Sequence, residues 1–213
     1  MENTQKHTIL TLANKITILR ILGVPVFILM LVYYTMGLAQ GNAEELYRSV
    51  ALVIFVVLAS TDALDGYYAR SRNEITTLGR MLDPIADKSL LLSGLILLTR
   101  PTLPGLLPHI PIWFTLLVIS RDVVLILGSI IIHALVGHVE VKPRMVGKIA
   151  TFFQMVTIVW VLIGGAPGHF LACVITAGAF TFLSGALYIL DGTRQLERAA
   201  AEHRIHFHGS HEH

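Results

Sequence analysis

The chain has 213 residues, of which 54% are hydrophobic and only 14% charged, against about 25% charged in an average soluble domain. A net charge of +2 without a basic aromatic patch argues against nucleic-acid binding, and the single cysteine, Cys173, excludes an intrachain disulfide and any zinc-ligand spacing. The apolar residues come in long blocks, which points to a membrane protein more than to a large soluble core.

In chain order, residues 1–12 form a juxtamembrane leader, "MENTQKHTILTL", which is either a short interfacial helix or a frayed end. The run Ile21–Met36 is long for a signal peptide and has Asn14, Thr17 and Arg20 built into its start, so it reads as a retained span. Six segments, near 13–36, 46–69, 80–99, 111–135, 148–164 and 169–191, are long enough to cross a hydrocarbon core of about 30 Å. The fifth is closed by the turn "GGAPG" at 164–168. Residues 192–213 form a tail that ends in "HRIHFHGSHEH", which holds five of the ten histidines. A solvated tail is the plainer reading of it, and binding of a soft metal the sharper one.

The expected fold class is therefore all-α: a single integral membrane domain, 1–213, of six transmembrane helices. An even number of spans puts both termini on one side. All sixteen Lys and Arg except Arg48 and Arg100 then fall on or near that side, so the termini are expected to be cytoplasmic.

Between the second and third spans lies "STDALDGYYARSRNEITTLGRMLDPIADK", residues 60–88. Asp62, Gly66 and Ala69 share one helical stripe, with Asp65 beside it, and Gly79, Asp83 and Asp87 share another. Residues 70–78 join the two halves, and a short joint makes antiparallel neighbours. Pro84 requires that the third helix either begin close to Asp83 or kink there. Gly66 and Gly79 leave room for a substrate or a second backbone.

Four carboxylates that can meet on one seam repel. Each would cost about 2.5–3.5 kcal/mol at the centre of a span and less near the interface. A divalent cation is the natural remedy, and oxygen ligands alone suit Mg2+ or Mn2+ better than zinc. Two such ions bridged by carboxylates make a clamp for attack at phosphorus. The plainer alternative is a structural network with Arg70, Arg72, Arg80 and Lys88, which explains any one acid better than it explains all four at this spacing.

The stretch fits D-x2-D-G-x2-A-R-x8-G-x3-D-x3-D at Asp62, Asp65, Gly66, Ala69, Arg70, Gly79, Asp83 and Asp87. This pattern resembles the signature of the CDP-alcohol phosphatidyltransferase family. The resemblance implies six transmembrane helices with cytoplasmic termini, homodimers, two divalent ions (Mg2+ or Mn2+) and a CDP-linked lipid donor, CDP-diacylglycerol. It implies that Asp62, Asp65, Asp83 and Asp87 hold the metals and that Asp87 also takes the proton of the attacking hydroxyl. By the same resemblance, Gly66, Ala69, Arg70 and Gly79 cradle the cytidine diphosphate. The expected setting is a bacterial-type inner membrane, with the site at its cytoplasmic face.

The opening "NKITILRILGVP" resembles the N-x2-T-x2-R-x4-P start of phosphatidylglycerophosphate synthases, through Asn14, Thr17, Arg20 and Pro25. Asn14, Thr17 and Arg20 fall on one side of the first helix and are candidates to line the site. Arg121 and Asp122 interrupt the fourth span, where a charge usually faces a cavity and has a partner. With Lys142, Arg144 and Lys148, Arg121 can form a cationic pocket for the phosphate of glycerol 3-phosphate. Simple inner-face anchoring accounts for Lys142 and Arg144 equally well. "ISRDVVLILG" and "KPRMVGKIATFFQM" are also similar to cardiolipin synthases of the same family, which use phosphatidylglycerol as acceptor. The expected activity is transfer of a phosphatidyl group to glycerol 3-phosphate, with phosphatidylglycerol as the alternative acceptor. A divalent-cation carrier is a remote alternative, because the acids cluster at one face instead of spanning the membrane.

Overall fold

The computed structural model describes residues 12–72, 77–99, 108–136 and 145–209, with side chains over 22–61, 88–99, 108–132, 134 and 145–197. Among the described residues the chain is all helical. Its elements are α1 (Leu12–Ala39), α2 (Glu45–Arg72), α3 (Thr77–Leu98), α4 (Ile112–Val136), α5 (Met145–Ile163) and α6 (Pro167–Gly209). Each covers one of the six expected segments to within a few residues, apart from the extension of α6 toward the C-terminus.

The first compact unit contains α1, α2, α3 and residues 158–167. Phe27, Leu31, Ala51, Phe55 and Leu58 are buried, and the rings of Phe27 and Phe55 stand 5.5 Å apart. A Cβ at Gly23 would come 2.7 Å from Leu58 Cδ2, so the absent side chain is what allows α1 and α2 to approach there. Gly94 of α3 lies against Ile158 and Phe27 in the same way. Helix α1 ends in a left-handed glycine, Gly41 at φ 72, with Asn42 N–H donating to the Gly37 carbonyl at 2.9 Å, a closure that satisfies carbonyls left over at the helix end. The "GGAPG" turn closes α5 by the same device, with Gly164 at φ 73 and Gly165 N–H donating to the Trp160 carbonyl at 3.0 Å. Pro167 then opens α6 at the one position where its missing N–H costs nothing.

The second unit holds α4, α5 up to Thr157, and α6 from Gly168. Its buried positions follow helical stripes: Phe114, Val118 and Asp122 on α4; Ala150, Gln154 and Thr157 on α5; Phe170, Val174, Ala177, Thr181 and Ser184 on α6. The opposite faces expose Leu116, Ile126, Leu127, Ile130, Phe152, Ile175 and Phe182. So much exposed apolar surface is untenable in water and suits lipid. Among the described residues, four helices carry stretches long and apolar enough to cross a membrane: Leu22–Ala39, Ile112–Ile132, Met145–Ile163 and Pro167–Glu197. Among the described residues, α3 offers only the shorter apolar piece Lys88–Leu98.

Two details differ from the sequence expectation. Helix α3 begins at Thr77 and runs on through Pro84, so of the two readings of Pro84 a start at Asp83 is overturned. The proline deprives the carbonyl of residue 80 of its helical partner. Helix α6 does not stop near 191 but continues to Gly209, which makes most of the tail helical. Residues 1–11 of the leader and the last residues of the histidine-rich end, 210–213, lie outside the described residues.

Candidate active site

The aspartates occupy the last turns of α2 and the first half of α3, consecutive helices of one unit joined over residues 73–76. Their side chains, like those of Gly66–Gly79 between them, lie outside the described residues; the backbone register is informative nonetheless. On α2 the buried positions Ala51, Phe55 and Leu58 follow a four–three spacing. The same alternation continues to Asp62, Asp65 and Ala69. On α3, Asp87 and Asp83 lie one and two turns before the buried Leu91, in line with the buried Leu95. Both acid pairs therefore stand, by register, on the lines that continue the buried stripes of α2 and α3. Gly66, Ala69, Arg70 and Gly79 share these two helix ends. Asn14, Thr17 and Arg20 lie on the first turns of α1, at i, i+3 and i+6, with their side chains also outside the described set.

The second unit places Arg121 in full detail. Its side chain is only 13% exposed, and Nη1 donates to Asp122 Oδ1 at 2.8 Å. Nη2 donates to the hydroxyl of Ser184 on α6 at 2.9 Å. Nε is buried and finds no acceptor among the described residues, a donor whose lost hydration costs about 1–3 kcal/mol unless a further group satisfies it. Arg121 thus has Asp122 as the partner a charge at that depth needs, and the intrahelical pair is tied to a second helix. Gly147 of α5 stands beside this hydrogen bond: a Cβ there would meet Arg121 Nη2 at 3.0 Å and Ser184 Oγ at 3.3 Å. Gly185 lies beneath the arginine stem, where a Cβ would stand 3.4 Å from Cγ.

Of the other expected cations, Lys148 follows Gly147 on α5 and is exposed, while Lys142 and Arg144 lie outside the described residues. Sequence reasoning missed Ser184, Gly147 and Gly185. The available signal was the pair of small residues at 184–185 in an apolar helix and the glycine just before Lys148. Small residues at such positions let polar groups and backbones meet closely.

The arrangement can do two things chemically. An oxygen-only set at the ends of α2 and α3 suits a hard divalent ion. A held guanidinium suits an anion such as a phosphate.

Comparison with known proteins gives the chain's lineage. The model of the CDP-alcohol phosphatidyltransferase family matches residues 10–189, a region that includes the four aspartates, Arg121 and Ser184. The chain is 35% identical over 159 residues to the CDP-diacylglycerol--glycerol-3-phosphate 3-phosphatidyltransferase of Bacillus subtilis, covering 73% of this chain and 78% of that protein. It is 35% identical over 192 residues to a probable phosphatidylglycerophosphate synthase of Mycobacterium tuberculosis, covering 88% and 84%. It is also 30% identical over 205 residues to the cardiolipin synthase (CMP-forming) of Streptomyces coelicolor, covering 92% and 88%. A family model that spans most of the helical region, with relatives matched along most of their own lengths, places the sequence pattern in its lineage: the chain belongs to the CDP-alcohol phosphatidyltransferase family.

Proposed function

We propose that the protein transfers a phosphatidyl group from CDP-diacylglycerol to glycerol 3-phosphate, giving phosphatidylglycerophosphate and CMP. The observation that carries this reading is the complete Asp62–Asp87 pattern, set by helix register on the continuation of two buried faces. Asp62, Asp65, Asp83 and Asp87 would hold two divalent cations, Mg2+ or Mn2+, as their oxygen-only donor set favours. The chemistry such ions supply when bound is neutralisation of the pyrophosphate and stabilisation of the leaving CMP. Gly66, Ala69, Arg70 and Gly79 receive the cytidine diphosphate. Asp87 accepts the proton of the acceptor hydroxyl as its oxygen bonds to the phosphorus nearest the diacylglycerol. The bond from that phosphorus to the bridging oxygen breaks, and CMP departs with that oxygen.

Arg121, with Lys142, Arg144 and Lys148, receives the phosphate of glycerol 3-phosphate, and Asn14, Thr17 and Arg20 line the site. The Lys and Arg distribution supports six spans with both termini cytoplasmic, and a site at the cytoplasmic face of a bacterial inner membrane. There the donor's tails stay in lipid while the acceptor comes from water. We read residues 1–213 as one catalytic domain that works as a homodimer.

The likeness to the Streptomyces coelicolor cardiolipin synthase favours a second reading, with phosphatidylglycerol as acceptor. Purified full-length protein with Mn2+, CDP-diacylglycerol and each acceptor in turn separates them. Phosphatidylglycerophosphate is the expected product by mass. Cardiolipin formed from phosphatidylglycerol, with no reaction of glycerol 3-phosphate, selects the second reading. Metal uptake into liposomes with no CMP release under any condition points instead to a carrier.

A further inference from the structure

Asp122 is the chain neighbour of Arg121 and holds Nη1 from the same helix, at 2.8 Å. Among the described residues, the hydrogen bond that ties the guanidinium to another element is the one to Ser184, 63 residues later on α6. Ser184 is 6% exposed and ends the buried stripe that runs through Phe170, Val174, Ala177 and Thr181. Gly147 and Gly185 give the arginine head and stem their space. An arginine carries one of the largest side-chain entropies, and a fixed acceptor on a second helix removes that freedom before a ligand arrives.

We propose that Ser184 is a positioning residue for the acceptor subsite: its hydroxyl oxygen sets the Arg121 guanidinium for a phosphomonoester. The inference rests on the reading of Arg121 as a phosphate-binding group. It assigns a role in acceptor use to a hydroxyl on α6 that neither the aspartate pattern nor the cationic residues contain. The oxygen accepts from Nη2, so its own O–H remains a donor, and the pair presents a neutral hydroxyl beside a guanidinium that also holds the Asp122 carboxylate. Such a site favours a compact phosphate over a bulky apolar group.

The test is steady-state CMP release by the purified full-length protein, with the concentration of each substrate varied in turn. Ser184→Ala is expected to raise the KM for glycerol 3-phosphate about ten-fold, the size of one lost hydrogen bond to a charged group. The KM for CDP-diacylglycerol should stay within about two-fold, and Ser184→Thr, which restores the hydroxyl, should recover most of the loss. A purely structural role would move both KM values, or the thermal midpoint without either. If Ser184→Ala does not fold, Ser184→Cys keeps the volume with a weaker acceptor and should raise the same KM. An unchanged KM for glycerol 3-phosphate in a folded Ser184 variant overturns the proposal. Arg121→Lys separates the two levels: it keeps the charge but loses the fork. If Arg121→Lys raises that KM and the Ser184 variants do not, the positioning role alone fails. If neither changes it, the phosphate reading of Arg121 fails as well.

Discussion

Gly147 on α5 faces Arg121 on α4 so closely that a Cβ would lie 3.0 Å from Nη2. That distance is shorter than ordinary van der Waals contact, and the guanidinium is already held by Asp122 and Ser184. Gly147→Ala should therefore displace the arginine head. Overpacking of this kind costs about 1–3 kcal/mol. The expected result is a several-fold higher KM for glycerol 3-phosphate with an unchanged KM for CDP-diacylglycerol. Equal changes in both would mean that the methyl group disturbs the helix and not the arginine.

Asp87 is assigned both a ligand and a proton-accepting role, so it should be the least replaceable acid. Asp87→Asn is expected to lower kcat by at least the 10^2–10^4-fold typical of losing a general base, with the thermal midpoint little changed. Chelation with EDTA should abolish CMP release, and Mn2+ or Mg2+ should restore it. An Asp87→Asn variant at wild-type rate would remove it from the chemistry.

Breaking the Arg121–Asp122 pair leaves a nearly buried guanidinium without its carboxylate. Asp122 is 7% exposed, and removal of one partner of a buried pair typically costs about 3–5 kcal/mol. Asp122→Ala should lower the unfolding midpoint in detergent clearly. Asp122→Asn, which keeps an oxygen acceptor, should lower it less. Equal and small effects would show that the pair is hydrated.

Two left-handed glycines allow a matched comparison. Gly41 (φ 72) has open space around its α-carbon, whereas a Cβ at Gly164 (φ 73) would also meet Arg48 Nη1 at 3.2 Å. Gly41→Ala should cost about 1–2 kcal/mol, the left-handed penalty alone. Gly164→Ala should cost more, because Arg48, paired with Glu45 at 2.6 Å, must also give way. Denaturant unfolding that ranks the two in the opposite order would contradict this account.

Gln154 Nε2 donates to Thr181 Oγ1 at 2.8 Å between two buried side chains, while the threonine hydroxyl also bonds the Ala177 carbonyl at 2.7 Å. Thr181→Val should cost about 1–3 kcal/mol, since it deprives the buried amide of this acceptor. Gln154→Leu should cost less, because Thr181 keeps its carbonyl. In a double-mutant cycle the pair should be non-additive by at least about 0.5 kcal/mol, and strict additivity would deny the coupling.

Much of the architecture was legible in the chain. The six helices, the "GGAPG" turn and the clustering of the acids at the ends of α2 and α3 follow from runs of apolar residues and from local spacing. The start of α3 was less legible, because Pro84 fitted either a helix start near Asp83 or a kink; a proline inside a helix costs a hydrogen bond, and the helix extends to Thr77 despite it. The extent of α6 was hidden because residues 192–209 lack the apolar run that marked the other spans, although alanine, glutamate and arginine there are good helix formers.

By itself, the sequence determined the helical class, the family and the line of carboxylates. Hydrophobic period, motif spacing and helix register are properties of neighbouring residues, and they need no knowledge of what packs on what. What holds Arg121 was decided by the tertiary structure alone. Ser184 and Gly147 are small, unremarkable positions in apolar helices, far from Arg121 in the chain. Only the packing of α4, α5 and α6 brings a hydroxyl to 2.9 Å from the guanidinium and the bare α-carbon of Gly147 beside that same hydrogen bond. Contacts between distant segments depend on how whole helices seat on one another, which no local pattern encodes.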